Sequence, residues 1–171
     1  MNKWILLVAY VVFGVVMLSA AYVFDIYVLE LAVGYLSRAQ STGYAEDMAS
    51  YVSKALDFLP KEGNPVWIFP TTRTDYALIR QDLTTIVERL QTVASVPREN
   101  PAYPQTLHDI RGKIAVLVHQ IYETMPYVFF KPVNIVAAII YLITPLIIRK
   151  AAARHRNRQS RNSVTVHKRA A

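Results

Sequence analysis

Apolar residues recur along this chain in two rhythms, unbroken at its ends and periodic in its middle. The stretch "WILLVAYVVFGVVMLSAAYVF", Trp4 to Phe24, runs 21 residues without a charge. A helix of that length crosses the roughly 30 Å hydrocarbon core of a bilayer. Near the other end "VNIVAAIIYLITPLII", Val133 to Ile148, is shorter. It reaches membrane length when Tyr127 to Phe130 join it and Lys131 snorkels toward the headgroups.

The first run continues past Phe24 as "DIYVLELAVGYL", interrupted only by Asp25 and Glu30, so its helix is expected to extend beyond the bilayer. Ser41, Thr42 and Gly43 supply the stop and the next start. Helical spacing then links Tyr44, Met48, Tyr51, Val52, Ala55, Leu56 and Leu59, up to Pro60. A third stripe reads Ile79, Leu83, Ile86, Val87, Leu90 and Val93, with Thr74 or Asp75 placed to accept a bond from an unpaired N–H of its first turn. After the proline-rich break "PRENPAYP" comes a fourth stripe, Ile110, Ile114, Leu117, Ile121 and Met125. On that helix Asp109 and Lys113 have i,i+4 spacing for a weak ion pair. Pro126 either bends or breaks it, and Pro132 suits the first turn of a new helix, where no N–H is needed.

These elements predict an all-α protein. Two transmembrane helices, residues 1–24 and 127–148, form a hairpin around an extracytoplasmic domain, residues 25–126, with a basic tail at 149–171. Helices at about 25–40, 44–59, 75–95 and 105–125 carry enough apolar surface to close an antiparallel four-helix bundle. Aromatics flank the outer ends of both spans, Tyr22, Phe24 and Tyr27 at one and Tyr127, Phe129 and Phe130 at the other, as an interfacial belt requires.

Charge sets the orientation. The tail holds eight Lys or Arg and no acid. Taking those eight from the chain's 19 basic residues leaves 11 against 12 acids, a formal charge of −1 for residues 1–148. The overall +7 is therefore a property of the tail. A basic cluster beside a span stays cytoplasmic, and Lys3 with the α-amino group does the same for the N-terminus. Arg149, Lys150, Arg154, Arg156 and Arg158 are the expected contacts to anionic lipid headgroups. Without interleaved aromatics, and directly following a span, the tail is not expected to bind nucleic acid. Its composition predicts no folded structure of its own. The small residues "LSAAY" offer a signal cleavage site after Ala21, but the apolar run exceeds a signal core, so an uncleaved anchor is expected.

Candidate chemistry is sparse. The absence of cysteine removes disulfides, thiol catalysis and cysteine zinc sites. His108 and His119 lie three turns apart, about 16 Å along a helix, too far to share an ion. Gly112 and Ala115 between them make a small stripe, expected to be a close helix contact. His119 and Glu123 have i,i+4 ligand spacing but no third ligand, so neither a metal nor any cofactor is expected. No phosphate-binding glycine loop, nucleophile elbow or histidine triad occurs, and the chain is not expected to be an enzyme.

The residues that resist a purely structural reading are "GNPVWIFPTTRTDY", Gly63 to Tyr76. Pro65 and Pro70 enclose Val66, Trp67, Ile68 and Phe69 in what should be a short extended arm with side chains on both faces. One face is expected to cap the bundle's distal end, burying Trp67 or Phe69. The other is left for a partner, with Arg73 available to an anionic ligand. Candidate partner contacts are therefore Val66, Trp67, Ile68, Phe69 and Arg73, together with Asp25 and Glu30 at the membrane edge and the stripe of Gly112 and Ala115.

The run from Trp67 to Tyr76, followed by a charged amphipathic helix, resembles a stretch in an uncharacterised family of proteobacterial inner-membrane proteins, over about residues 67–125. Those members carry an N-terminal anchor and a helical periplasmic part, are longer, and lack the second span and basic tail. The resemblance implies a bacterial inner membrane with the helical domain in the periplasm, and no activity. Together these features lead to an expected non-catalytic accessory subunit that docks onto other membrane proteins or onto itself. The competing expectation is a periplasmic sensor module, which would signal through another chain because only the basic tail follows the second span.

Overall fold

A computed structural model describes the backbone of residues 3–169, and side chains at 4–151, 153 and 154. Among the described residues there is no strand. Two units make up the chain, Met1–Lys131 and Pro132–Ala171.

The first unit begins with α1 (Lys3–Ala21), which runs through a π-helical turn (Tyr22–Ile26) into α2 (Tyr27–Ser41). The turn is closed by the N–H of Tyr27 donating to the carbonyl of Tyr22, an i→i+5 bond. One residue more per turn shifts the phase of every side chain that follows. It marks the point where an all-round apolar helix becomes one with a single buried stripe, Leu29, Ala32, Val33, Leu36 and Ala39. The other elements of the unit are α3 (Ala45–Phe58), a 3₁₀ turn (Thr72–Thr74), α4 (Tyr76–Ala94) and α5 (Ala102–Phe129).

Helices α2 to α5 share one core. Helix α2 packs on α3 and α5, α3 packs on α4, and α4 packs on α5. Met48, Val52 and Ala55 from α3, Ile79, Leu83 and Leu90 from α4, and Ile110, Ile114 and Ile121 from α5 are all essentially inaccessible. Each stripe foreseen from spacing is present, though Tyr44 lies outside it and exposed, with Ala45 inside. Burying a branched aliphatic side chain contributes about 2 kcal/mol, which is why these stripes rather than helix propensity hold the unit together.

Polar links fix the helix ends. Asp75 caps α4, its Oδ1 accepting from the N–H of Ala77 at 2.8 Å. At the start of α3, where the first N–H groups have no helical acceptor, the Ala45 N–H donates to the Tyr103 hydroxyl at 2.9 Å. Arg111 donates to the Thr42 carbonyl at 2.7 Å, tying the α2–α3 turn to the beginning of α5. Arg80 closes the far end of α3 by donating to the carbonyls of Leu56 and of Leu59, the latter at 2.9 Å.

These links define two ends. The turn after α2 meets the beginning of α5 through Thr42, Ala45, Tyr103 and Arg111. The α3–α4 loop meets the close of α5 instead, through Tyr76 with Thr124 and Arg73 with Glu123. That second end is also where α1 enters, since the π turn packs on α5 and Asp25 within it pairs with Lys131 at 2.7 Å. It is called the span-bearing end below.

The structure resolves one open boundary and corrects one expected ion pair. Helix α5 passes through Pro126 and ends at Phe129, so the break falls after residues 127–129 and not at the proline. Proline there removes one backbone bond close to the helix end, where the Phe130 N–H still finds the Pro126 carbonyl at 2.9 Å. Asp109 and Lys113 form no ion pair.

The second unit is a single helix, α6, from Pro132 to Arg169. It begins at the proline suited to a first turn, as spacing foresaw. It also continues through the basic tail, which was expected to have no folded structure. A helix already nucleated in the apolar segment propagates one bond per residue, and Ala, Arg, Lys and Gln are good propagators. Trp4–Ser41 and Ala102–Ala151 each contain a stretch long and apolar enough to cross a membrane, and neither stretch has a buried residue.

Candidate functional site

The loop between α3 and α4 is organised by Asn64, one residue after a Gly63 whose φ of +103° only glycine adopts easily. The Asn64 carbonyl oxygen accepts from the Val66 N–H and the Thr74 hydroxyl, both at 3.0 Å. Its amide donates to the Thr71 carbonyl at 2.6 Å. Thr74 is buried beneath it, and the Tyr76 N–H returns to the Gly63 carbonyl at 3.0 Å. Residues 65–70 thus form an excursion whose base is closed by side-chain bonds rather than by a sheet.

This geometry corrects the expected arm. The buried member is Val66, 7% exposed, while Trp67, Ile68 and Phe69 stand 47%, 52% and 80% exposed. Neither Trp67 nor Phe69 caps the core, because the bend at Ile68–Phe69 replaces a straight extended run and the core is already closed beneath by Leu59, Val66 and Tyr76. The loop also lies at the span-bearing end, not at the distal end.

Charged candidates are occupied inside the chain. Arg73 reaches Glu123 at 3.5 Å, and the same Glu123 oxygen lies 3.1 Å from His119 Nε2. Glu123 is thus shared between Arg73 and His119, and Arg73 is not simply waiting for an external anion. No group of three or more metal-ligating side chains occurs among the described residues. Asp25, its side chain only 15% exposed, holds the Lys131 ammonium at 2.7 Å. Glu30 accepts from the Tyr22 hydroxyl across the π turn at 2.7 Å.

The stripe of Gly112 and Ala115 is exposed, with His108 and His119. It is not a contact within the core, since Ile110, Ile114, Leu117 and Ile121 take the inward face of α5. A methyl group added at Gly112 would meet nothing. Beside this face a shallow groove between α4 and α5 is lined by Asp82, Thr85, Arg89, Lys113, Val116 and Gln120 among others. In α6, Arg149, Lys150 and Arg154 are exposed; the side chains of Arg156 and Arg158 lie outside the described residues.

Spacing missed Asn64, Thr74 and the buried Tyr76–Thr124 hydroxyl pair, 2.8 Å apart. The signal for the first was present in "GNP", three turn-forming residues in a row. Burial pushes the Tyr76 phenol up to about 12, against a smaller opposing effect from the Thr124 hydrogen bond. Comparisons with known protein families, with curated proteins and with solved structures find no match to this chain.

Proposed function

We propose that this chain is a non-catalytic accessory or scaffolding subunit of a larger membrane protein assembly. In this reading the two apolar helices cross the membrane as a hairpin with both termini in the cytoplasm. Helices α2 to α5 form an antiparallel four-helix bundle outside it. The resemblance expected of residues 67–125 to proteobacterial inner-membrane proteins supports a periplasmic setting for that bundle. The basic residues after Ile148 hold the second span's inner end against anionic headgroups, at about 1 kcal/mol each.

The observation that carries the reading is the exposed triplet Trp67, Ile68 and Phe69 on a loop fixed by Asn64. The core is complete without these side chains, so an ordered apolar surface remains for something outside the chain. A second surface is the outward face of α5, where Gly112 and Ala115 would let another helix approach closely. Gentle extraction from native membranes, followed by mass spectrometry of what co-purifies, tests this. A Gly112→Leu/Ala115→Leu variant should keep its helicity and lose its protein partners. A wild-type chain that always migrates alone would contradict the reading.

The sensor reading is favoured by one feature, the α4–α5 groove whose lining includes Arg89, Lys113, Asp82 and Gln120. Thermal shifts of the full chain with small anionic metabolites, abolished by Arg89→Ala, would move the balance toward it.

A further inference from the structure

The loop tip has a more specific occupant. We propose that Trp67, Ile68 and Phe69 insert into the headgroup–acyl interface of the same bilayer that the spans cross, resting the domain on the membrane at a third point. This rests on the reading above that the tip is an attachment surface, and it names what the tip attaches to.

The connectivity provides the level. Arg73 and Tyr76 are held to Glu123 and Thr124 of α5, and α5 ends at Phe129. Six residues at 1.5 Å each put the loop's base about 9 Å from that end. The base is closed by Asn64 and Thr71, and three residues from there to the tip reach at most about 10 Å. The tip can therefore come level with the last turn of α5. The far turns cannot: Tyr103, which holds the start of α3, is 21 residues before Thr124, about 32 Å away along the helix.

Exposed aromatics already mark that level. Phe24 and Tyr27 around the π turn, with Tyr127 and Phe130 at the close of α5, are all exposed. Trp, Tyr and Phe at one height around membrane-bound helices are the composition of an interface, where flat amphipathic rings sit among headgroups. Trp67 and Phe69 add to that set from a different part of the chain. The backbone suits the place as well. Irregular backbone near lipid is costly because its N–H groups lose water. Here Pro65 and Pro70 carry none and the Val66 N–H is taken by Asn64, which leaves those of Trp67, Ile68 and Phe69 to headgroup oxygens and water and sets the tip at headgroup depth. A protein partner could cover the same triplet, but would have to do so flush with the membrane surface.

The test uses the full chain in nanodiscs, with no other protein present. Trp4 is the only other tryptophan, so a Trp4→Phe background reports on Trp67 alone. Its fluorescence should shift to shorter wavelength than in the unfolded chain. It should also be quenched by lipids brominated near the headgroup more strongly than by lipids brominated near the chain end. Ile68→Asp should reverse both effects while leaving helicity unchanged. Absence of quenching by any brominated lipid would overturn the proposal. If Trp67→Ala/Phe69→Ala then lost partners from native membranes, the attachment reading would survive with a protein as the occupant. If partners were unchanged too, both would fall.

Discussion

Two buried tyrosines in this domain offer the same substitution with different expected costs. Tyr103 accepts, through its hydroxyl, the N–H of Ala45, and both residues are almost wholly inaccessible. Tyr103→Phe deletes the only acceptor for that N–H and leaves a buried donor unpaired, at a cost of about 2 kcal/mol. Tyr76 is the reverse case. The Thr124 hydroxyl already donates to the Ile121 carbonyl at 2.7 Å, so in the 2.8 Å pair Tyr76 is the donor. Tyr76→Phe leaves Thr124 bonded and removes only one donor from an oxygen that tolerates its loss, at roughly 0.5–1 kcal/mol. For a domain of this size a gap of about 1 kcal/mol separates melting temperatures by roughly 4–8 °C. Thermal unfolding of both full-length variants in one detergent, followed by the circular dichroism of the helices, reads it directly. A Tyr76→Phe variant that melts at or below Tyr103→Phe would refute the assignment of donor and acceptor.

Other consequences follow from the same contacts. Because burial holds the Tyr76 phenol at about 12, the folded state keeps a proton that the unfolded state releases near 10. Stability should therefore be intact below pH 10 and fall as pH rises from 10 toward 12, by up to about 2–3 kcal/mol; Tyr76→Phe should flatten that decline in pH-dependent melting. Lys131→Met should destabilise the contact between the π turn and the close of α5, and a cycle with Asp25→Asn should give a coupling of about 1 kcal/mol for the 2.7 Å pair. No coupling would mean the pair does not hold in the folded chain. Asn64→Ala removes three bonds that shape the loop, at a net of about 1 kcal/mol each. Hydrogen exchange should quicken at Val66 and Tyr76, with Ile110 to Ile121 unchanged; uniform quickening would mean the loop is part of the core.

The helices and their inward faces were legible because period 3.6 repeats in each of them, and Leu83 or Ile114 can only be satisfied inside. What spacing could not show was the phase. Asp25 and Glu30 read as membrane-edge acids, yet a π turn between Tyr22 and Ile26 turns Asp25 toward Lys131, 106 positions later. No local pattern announces a pairing at that distance. Gly112 and Ala115 form a stripe on the helix, but only the position of α2 and α4 decides that it faces outward. The loop was half legible. Its apolar tip was plain from Trp67 to Phe69, while its position depended on which helix ends it joins, and its shape depended on Asn64. The tail shows the opposite error, since composition alone ignored a helix that was already under way at Ile148.

The central claim is that the domain from α2 to α5 and the basic tail lie on opposite sides of one membrane. Because the chain has no cysteine, a single one can be placed at Gln91, exposed on α4, or at Ser160 in the tail. Each variant is treated with a membrane-impermeant maleimide in sealed vesicles whose cytoplasmic face points inward. The account predicts that Gln91→Cys is labelled at once and Ser160→Cys only after detergent opens the vesicle. Equal labelling of the two, or Ser160→Cys labelled first, would contradict it.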